Sequence, residues 1–283
     1  MRMLLIALIL LTGCLVSSPL LAADSDASAV EPLVVGESFT LHSATLDEDR
    51  RINVYIPYDP GPDQRPPLPI MVMPDGGLAE DFIHVMGLLQ VGVGNGTMRP
   101  FLLVGIENTQ RRRDLTGPTE DPRDREIAPV VGGSAAFRDF IRDELLPEIA
   151  RRYSVTEERA IVGESLAGLF VLETFVLEPA LFDHYLAIDP SLWWNRGQMV
   201  EGLAETLSEQ RLGATSLFVA TGQQPEIREL SQRFVRILGE ASLQLRVVHA
   251  EFDESHATIY HPAALQGFRA LFAPTPEPES HDN

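Results

Sequence analysis

Residues 159–170 read Arg-Ala-Ile-Val-Gly-Glu-Ser-Leu-Ala-Gly-Leu-Phe, an apolar run that is strand-like before Ser165 and helix-like after it. Gly163 stands two positions before Ser165, and Ala167 stands two positions after it. A nucleophilic serine on a strand-to-helix turn needs small residues at both positions, because its own backbone is strained and bulk there would clash. The stretch therefore predicts a nucleophile elbow at Ser165. The alternative is a serine N-cap on an ordinary helix that begins at Leu166.

Short apolar runs alternate with stretches of helical period along most of the chain, which predicts a βα repeat around a mostly parallel sheet with helices on both faces. Eight strands are predicted: Leu33–Leu46, Arg51–Tyr58, Pro69–Asp75, Phe101–Asn108, Arg159–Glu164, Tyr185–Asp189, Ser216–Gly222 and Leu245–Phe252. Only Asp47–Arg50 separates the first two strands, so we expect them to form an antiparallel hairpin at one edge of the sheet.

Helices are predicted in six amphipathic segments: Leu78–Gln90, Ser134–Tyr153, Leu166–Glu178, Gln198–Gln210, Pro225–Ala241 and Pro262–Phe272. Two segments lack periodicity, Asp59–Pro67 and the long, Arg-rich Asn108–Gly133. A loop as long as the second is usually functional or mobile. We expect residues 33–272 to form one domain and residues 273–283 to be a disordered tail.

A serine hydroxyl becomes a good nucleophile at neutral pH only with a histidine in hydrogen-bond reach, and in such a fold that histidine follows the last strand. His256 has this position, between the strand Leu245–Phe252 and the last helix, and His261 is its near rival. We therefore predict that His256 is the general base.

A third catalytic residue should lie between the serine and the histidine in chain order and accept a hydrogen bond from the imidazole ring. Glu226 fits because it follows the penultimate predicted strand, although it could equally be an acid of the first turn of the next helix. Asp189, after the preceding strand, and Asp253, close to the histidine, are the alternatives.

Acyl transfer also needs two backbone N–H groups that stabilise the oxyanion. Leu166, directly after the serine, is the first predicted donor. The second is Gly77, because the strand that ends at Asp75 is followed by Gly-Gly and glycine lets the backbone approach a ligand closely. By itself, the Asp75-Gly76 pair would equally fit a simple turn.

The N-terminus has the features of a secretory signal: Arg2, a short apolar run, and small residues up to Ala22 and Ala23. We expect residues 1–22 to be a signal peptide, residues 23–32 to be flexible, and the mature protein to be exported to the bacterial periplasm or envelope without a membrane span. An alternative is lipid anchoring at Cys14, because residues 11–14 (LTGC) resemble a bacterial lipobox. Cys14 is the only cysteine, so a cysteine nucleophile and a thiolate metal site are excluded once the signal is removed.

The formal net charge of −19 disfavours nucleic acid and anionic membranes as partners. We expect no metal, because no pair of histidines has ligand spacing and the carboxylates are scattered. We also expect no cofactor, since the glycines of Gly92–Gly96 follow a predicted helix and not a strand, as a dinucleotide site would require.

Several motifs together resemble the Putative esterase family of α/β-hydrolases, and within it a siderophore-esterase-like branch. The resemblance extends from about Phe39 to Phe272. The motifs are Asn53-Val-Tyr-Ile-Pro, Met73-Pro-Asp-Gly, Val104-Gly-Ile-Glu-Asn, Arg113-Asp-Leu-Thr, Phe137-Arg-Asp-Phe-Ile, Val162-Gly-Glu-Ser-Leu-Ala-Gly-Leu-Phe, Pro190-Ser-Leu-Trp-Trp and Glu254-Ser-His-Ala-Thr.

The resemblance implies the α/β-hydrolase fold and a metal-free carboxylic ester hydrolase that uses Ser165 and His256. It also implies that Arg113 and either Trp193 or Trp194 lie near the substrate. From the residues alone, the tryptophans could equally pack at the sheet edge and the arginine could be solvated. The sequence departs from the family where Glu164 replaces a common His, Ala167 a common Gly and Asp189 a common Ser, so the substrate does not follow from the resemblance.

The sequence therefore predicts a serine hydrolase that cleaves a small-molecule ester through an acyl-enzyme on Ser165, with a siderophore lactone as one candidate substrate. Two alternatives use the same fold. An acyltransferase would have the same catalytic residues with an alcohol as acceptor, and an envelope binding protein would hold a ligand without turnover.

Overall fold

The computed structural model describes residues 30–57, 66–209, 215–241 and 245–274. The predicted signal peptide and the lipobox lie outside these residues, as do most of segment 23–32 and tail residues 275–283. All strands and helices described below lie within the unit Val35–Asn283.

Eight strands in the described residues form one sheet in the order β1-β2-β4-β3-β5-β6-β7-β8. Strand β2 is antiparallel to both of its neighbours, and all other neighbouring strands are parallel. The strands are β1 (Glu37–Ser43), β2 (Glu48–Tyr55), β3 (Leu68–Pro74), β4 (Leu102–Ile106), β5 (Val155–Glu164), β6 (His184–Ile188), β7 (Thr215–Thr221) and β8 (Leu245–Glu251). The eight predicted strands and the edge hairpin are thus confirmed.

The helices also follow the prediction in most places. They are α1 (Phe82–Gly94), α2 (Arg111–Asp114), α3 (Pro122–Ile127), α4 (Ser134–Phe140), α5 (Leu146–Arg152), α6 (Leu166–Leu177), α7 (Gln198–Glu201), α8 (Leu203–Glu209), α9 (Pro225–Glu240) and α10 (Tyr260–Phe272). A π-helical turn, Ile141–Leu145, joins α4 to α5 where one continuous helix was predicted. The predicted helix Gln198–Gln210 is divided at Gly202 into α7 and α8.

The segment Asn108–Gly133 is not structureless, because it contains α2 and α3. Helix α3 begins where the side chain of Asp121 accepts a hydrogen bond from the backbone N–H of Arg123 at 3.0 Å, and Pro122 takes the first helical position. Both are standard helix-start signals. The two helices are too short and too polar for an apolar period to reveal them.

The inner parallel strands β3, β4, β6 and β7 are buried on both faces along almost their whole length, as a sheet covered by two helical layers requires. In β3, Ile70 and Val72 pack into one core with α4, α5, α6 and α9, whereas Met71 and Met73 pack into a second core with α1 and α10. Because consecutive side chains of a strand point to opposite faces, an unbroken apolar run is what this position demands. The architecture is the α/β-hydrolase fold that the sequence predicts.

None of the helices in the described ranges combines the length and the apolar character that crossing a membrane requires.

A buried ion-pair network attaches α2 to β2. The Arg50 side chain of β2 is only 1% exposed and pairs with Asp114 of α2, which is also 1% exposed, and with Glu48 at 2.7 Å. Arg113 binds the other oxygen of Asp114 through Nε at 2.6 Å. Since charges out of water are stable only when paired, this network fixes the position of the segment that follows β4.

We expect Asp114→Ala to lower the free energy of unfolding by about 3–5 kcal/mol, because Arg50 would remain buried without its main partner. Urea denaturation measures the change. The matched control is Glu201→Ala, which removes a carboxylate from the exposed pair with Arg233 and should alter stability little. Equal effects of the two substitutions would contradict the role of the network.

Candidate active site

Ser165 lies on the sharp turn between β5 and α6, at the edge of the sheet where the parallel strands end. Its φ of +60° and ψ of −119° are strained for a residue with a side chain. A Cβ on Gly163 would lie 2.6 Å from the carbonyl carbon of Ala167, so only glycine fits there. Position 167 accepts alanine because the Ala167 methyl group uses the space that Gly163 leaves.

The turn after β6 is joined to this elbow by two backbone hydrogen bonds. The N–H of Ser165 donates to the carbonyl of Ile188 at 3.0 Å, and the N–H of Ser191 donates to the carbonyl of Ser165 at 3.0 Å. Between these two contacts lies Asp189, whose φ of +43° is also in the left-handed region. Positions 165 and 189 are therefore held in fixed relation by the backbone.

Ser165, His256 and Asp189 form one hydrogen-bonded series. The distance from Ser165 Oγ to His256 Nε2 is 2.9 Å, and that from His256 Nδ1 to Asp189 Oδ2 is 2.6 Å. Because an ionised carboxylate can only accept, Nδ1 carries the proton and Nε2 is free to accept the hydroxyl proton of Ser165. This is the arrangement of a nucleophile, a base and the group that orients the base.

The Asp189 carboxylate is completely buried and is held from a second direction. Its Oδ1 accepts a hydrogen bond from the backbone N–H of Gly222, directly after β7, at 2.8 Å. A Cβ on Gly222 would lie 2.6 Å from the carbonyl oxygen of Glu254, so glycine is required where the loop that carries His256 passes. The ends of β6 and β7 and the loop after β8 thus meet at one carboxylate.

The hydrogen bond that His256 donates to Asp189 raises the pKa of His256 above its ordinary value, and the nearby Glu164 carboxylate acts in the same direction. Partial burial opposes both effects. Stabilisation of the imidazolium is what a general base needs while it holds the serine proton.

Glu226, the residue predicted as third member from chain order, is not at the imidazole. It is exposed in the first turn of α9, where it complements the helix dipole. Asp253 is exposed as well, and its carboxylate accepts from Gln223 Nε2. The carboxylate on His256 is the alternative, Asp189.

Sheet order explains why Asp189 is the residue that meets the histidine. Strand β6 lies directly beside β5, with Glu164 opposite Ile188, so the residues that follow these two strands are neighbours at the same edge. Chain order alone does not contain this information. The sequence signal that favours Asp189 is that it follows the next strand along the chain after the elbow strand, because consecutive strands are neighbours in roughly two-thirds of cases.

The two predicted oxyanion donors differ in availability. The N–H of Leu166 is in the first turn of α6, where no intrahelical acceptor exists. The N–H of Gly77 donates to Glu80 Oε2 at 2.7 Å. Gly77 can therefore serve an oxyanion only when the Glu80 side chain moves away.

Among the arginines of α2, Arg111 has an electrostatic effect on the site, whereas the described ion pairs of the predicted Arg113 are with carboxylates outside the Ser-His-Asp series. Arg113 binds Glu48 at 2.7 Å and the buried Asp114. Arg111 makes a two-pronged ion pair with Asp75, both distances 2.7 Å, and its charge acts on both Glu164 and His256.

The predicted tryptophans have mainly packing contacts. Trp194 is 5% exposed, and its Nε1 donates to the carbonyl of Gly117 at 2.9 Å. Its ring lines a cavity of about 260 Å³ together with Leu169 and Met199, and the described residues around this cavity do not include the Ser-His-Asp series. Trp193 is partly buried against the same core.

Two further residues at the serine were not predicted as site residues. Ser191 Oγ lies 3.4 Å from Ser165 Oγ. Glu164 Oε1 lies 3.5 Å from His256 Nε2, and burial raises the pKa of this carboxyl to about 7. Both residues are close to Ser165 because of their places in the chain. Glu164 directly precedes the serine, and Ser191 belongs to the turn after β6, which is hydrogen-bonded to the elbow.

The fold and the placement of these residues define an α/β-hydrolase. Residues 43–254, more than half of the chain, match the model of the family described as Putative esterase. The chain belongs to this family.

Several relatives are similar to this chain. Ferri-bacillibactin esterase BesA of Bacillus subtilis is 41% identical over 113 residues, 38% of this chain and 37% of BesA. The siderophore triacetylfusarinine C esterase of Aspergillus fumigatus is 41% identical over 91 residues, 30% of this chain and 29% of that protein. The matches thus span less than two fifths of either relative.

Among solved structures, an IroE-like serine hydrolase from Shewanella oneidensis is similar, with 28% identity and a TM-score of 0.75. The match covers 84% of this chain and 80% of the other. The likeness supports the fold over nearly its whole length.

We expect Gly163→Ala to destabilise the protein by about 1–3 kcal/mol and to displace Ser165, because the added methyl group would overlap the backbone of Ala167. Thermal unfolding and the rate of serine labelling by a phosphonate measure the two effects. The control is Gly87→Ala in α1, where a Cβ would meet no atom within 4 Å and where alanine favours the helix. Unchanged stability and labelling of the Gly163 variant would contradict the steric account of the elbow.

Proposed function

We propose that this protein is a serine carboxylic ester hydrolase with Ser165 as nucleophile, His256 as general base and Asp189 as the residue that orients the base. The observation that carries the proposal is the unbroken series of hydrogen bonds of 2.9 and 2.6 Å from the strained serine to a buried carboxylate. Family membership and the similarity to named esterases support it.

The proposed reaction has two half-reactions. Ser165 Oγ attacks the ester carbonyl carbon while its proton moves to His256 Nε2, and this proton then leaves with the alcohol as the acyl-enzyme forms. A water molecule next gives a proton to Nε2 and attacks the acyl carbon. The acid departs as the proton returns to Ser165 Oγ, so one ester and one water yield one acid and one alcohol.

The oxyanion formed in each step would accept hydrogen bonds from the N–H of Leu166 and, once Glu80 has withdrawn, from that of Gly77. Removing one such donor typically lowers the rate about 10²–10³-fold. The carboxylate of Glu80 now occupies the Gly77 donor, so we infer that substrate binding displaces it.

For the substrate we propose a small-molecule ester, with siderophore lactones as the first class to screen. The support is that both curated relatives described above are named as esterases of siderophores. An anionic substrate would meet an acidic protein. In the groove that Arg111, Arg112 and Arg113 line beside Pro129 and Val130, Arg111 and Arg113 already pair with carboxylates, so the exposed Arg112 is the cation that supports this substrate class.

We further propose that the protein is exported, since residues 1–22 have the pattern of a signal peptide. Lipid anchoring through Cys14 is the alternative route to the envelope.

We expect Ser165→Ala to reduce the hydrolysis of short-chain nitrophenyl esters at least about 10⁴-fold, because the nucleophile would be lost while the fold remains. Steady-state kinetics of the mature protein measures the loss, and phosphonate labelling with peptide mapping should locate the modification at Ser165 in the unsubstituted protein.

The control is Ser208→Ala, which removes an exposed hydroxyl from α8 and should leave turnover unchanged. A folded protein with neither turnover nor label would instead favour the ligand-binding alternative. Transfer to an added alcohol in preference to water would favour the acyltransferase.

A further inference from the structure

Glu164 places a second carboxylate against the catalytic imidazole. It is the last residue of β5, directly before Ser165, and its Oε1 lies 3.5 Å from His256 Nε2. The same nitrogen faces Ser165 Oγ at 2.9 Å, while Asp189 binds Nδ1 on the other side of the ring. Each nitrogen of the imidazole therefore has a carboxylate close to it.

The Glu164 carboxyl has no evident structural task. Its side chain is only 16% exposed, and within the described ranges no N–H or O–H group donates a hydrogen bond to it; the imidazole nitrogen at 3.5 Å can form an ion pair with it only when His256 is protonated. A carboxyl group held largely out of water without donors is costly. Its position is therefore better explained by the imidazole than by the stability of β5.

We propose that Glu164 is a positioning residue. Its carboxyl group and the imidazole of His256 titrate as a coupled pair, and this coupling sets the pH range in which His256 acts as a base. This inference rests on the proposed serine-hydrolase function and concerns the same site.

Charged and titratable groups from several elements surround Glu164. Partial burial raises its pKa to about 7, with Asp81 and Asp189 adding to the rise and His256 and Arg111 opposing it. Asp75 already pairs with Arg111, so this cation only partly compensates Glu164. From α10, the Tyr260 hydroxyl is buried, its pKa is raised well above the ordinary range by burial, and it remains neutral.

The sign of the effect follows from which form of His256 is active. Only the neutral imidazole can accept the serine proton, so activity is lost when pH falls below the pKa of His256. An ionised Glu164 stabilises the imidazolium and raises this pKa together with Asp189. The two groups are close enough to titrate as a pair, with two apparent pKa values on the acid side of the profile.

The test is Glu164→Gln, which keeps the size of the side chain and removes its charge. We expect the acid limb of the pH profile of kcat/KM to move about one unit towards lower pH, as loss of a neighbouring opposite charge does. We also expect the ¹⁵N NMR titration of the His256 ring, assigned with His256→Gln, to change from two steps to one.

Two further variants separate charge from structure. Glu164→Asp keeps a carboxylate and should retain part of the shift in the acid limb. Glu251→Gln removes an exposed carboxylate from β8 and should leave the titration of His256 unchanged.

An unchanged His256 titration in Glu164→Gln would overturn the inference, and so would an equal shift in Glu251→Gln. Because the NMR titration needs no turnover, this failure is distinct from a failure of the proposed function, which full activity of Ser165→Ala would reveal.

Discussion

The Asp189 carboxylate is the contact on which the site depends. It is fully buried, and its two oxygens accept hydrogen bonds from the backbone of Gly222 and from the imidazole of His256. A buried charge is stable only when its hydrogen bonds are satisfied. Both partners must therefore be in place for Asp189 to remain buried as a carboxylate. The carboxylate thereby joins the ends of β6 and β7 to the loop after β8, residues that are far apart in sequence.

Three of the six non-glycine residues with a positive φ in the described ranges lie at the same edge. Asp75, Ser165 and Asp189 each have a positive φ, and each is the first residue after a strand, namely β3, β5 and β6. Such conformations cost on the order of 1–3 kcal/mol each and persist only where the surrounding structure enforces them. Here the enforcement comes from parallel strands in register and from glycines that admit no Cβ, such as Gly163 and Gly222. These three residues carry or adjoin the proposed chemistry.

The inner strands β3, β4, β6 and β7 could be predicted because each one contains a short apolar run, and both faces of a covered parallel sheet must be apolar. Ser165 could be predicted because small residues stand two positions before and after it on a strand-to-helix turn. His256 could be predicted because it follows the last strand. The orienting carboxylate could not be assigned from chain order, because Glu226 and Asp189 both follow a strand that lies between the serine and the histidine in sequence. Only the pairing of β5 with β6 distinguishes them, and pairing is a property of the folded sheet.

The helices α2 and α3 in the segment after β4 could not be predicted from the sequence for a different reason. These helices are held by charge, through Arg50 and Asp114 in the interior and Asp121 at a helix start, and not by an apolar face. For the same reason, the sequence could not distinguish the roles of two arginines in this segment. Arg113 pairs with Asp114 in the network, whereas the charge of Arg111 lowers the pKa of Glu164 at the site. Hydrophobic periodicity carries no information on such contacts.

The most direct test of this account compares kcat in Asp189→Asn and Glu226→Gln, measured on one nitrophenyl ester with folding checked by circular dichroism. We predict that Asp189→Asn lowers kcat by roughly 10⁴-fold, because an amide can donate to Nδ1 and favour the wrong imidazole tautomer, while Glu226→Gln leaves kcat unchanged. The reverse result, or equal and small losses in the two variants, would contradict the claim that the buried Asp189 orients the base.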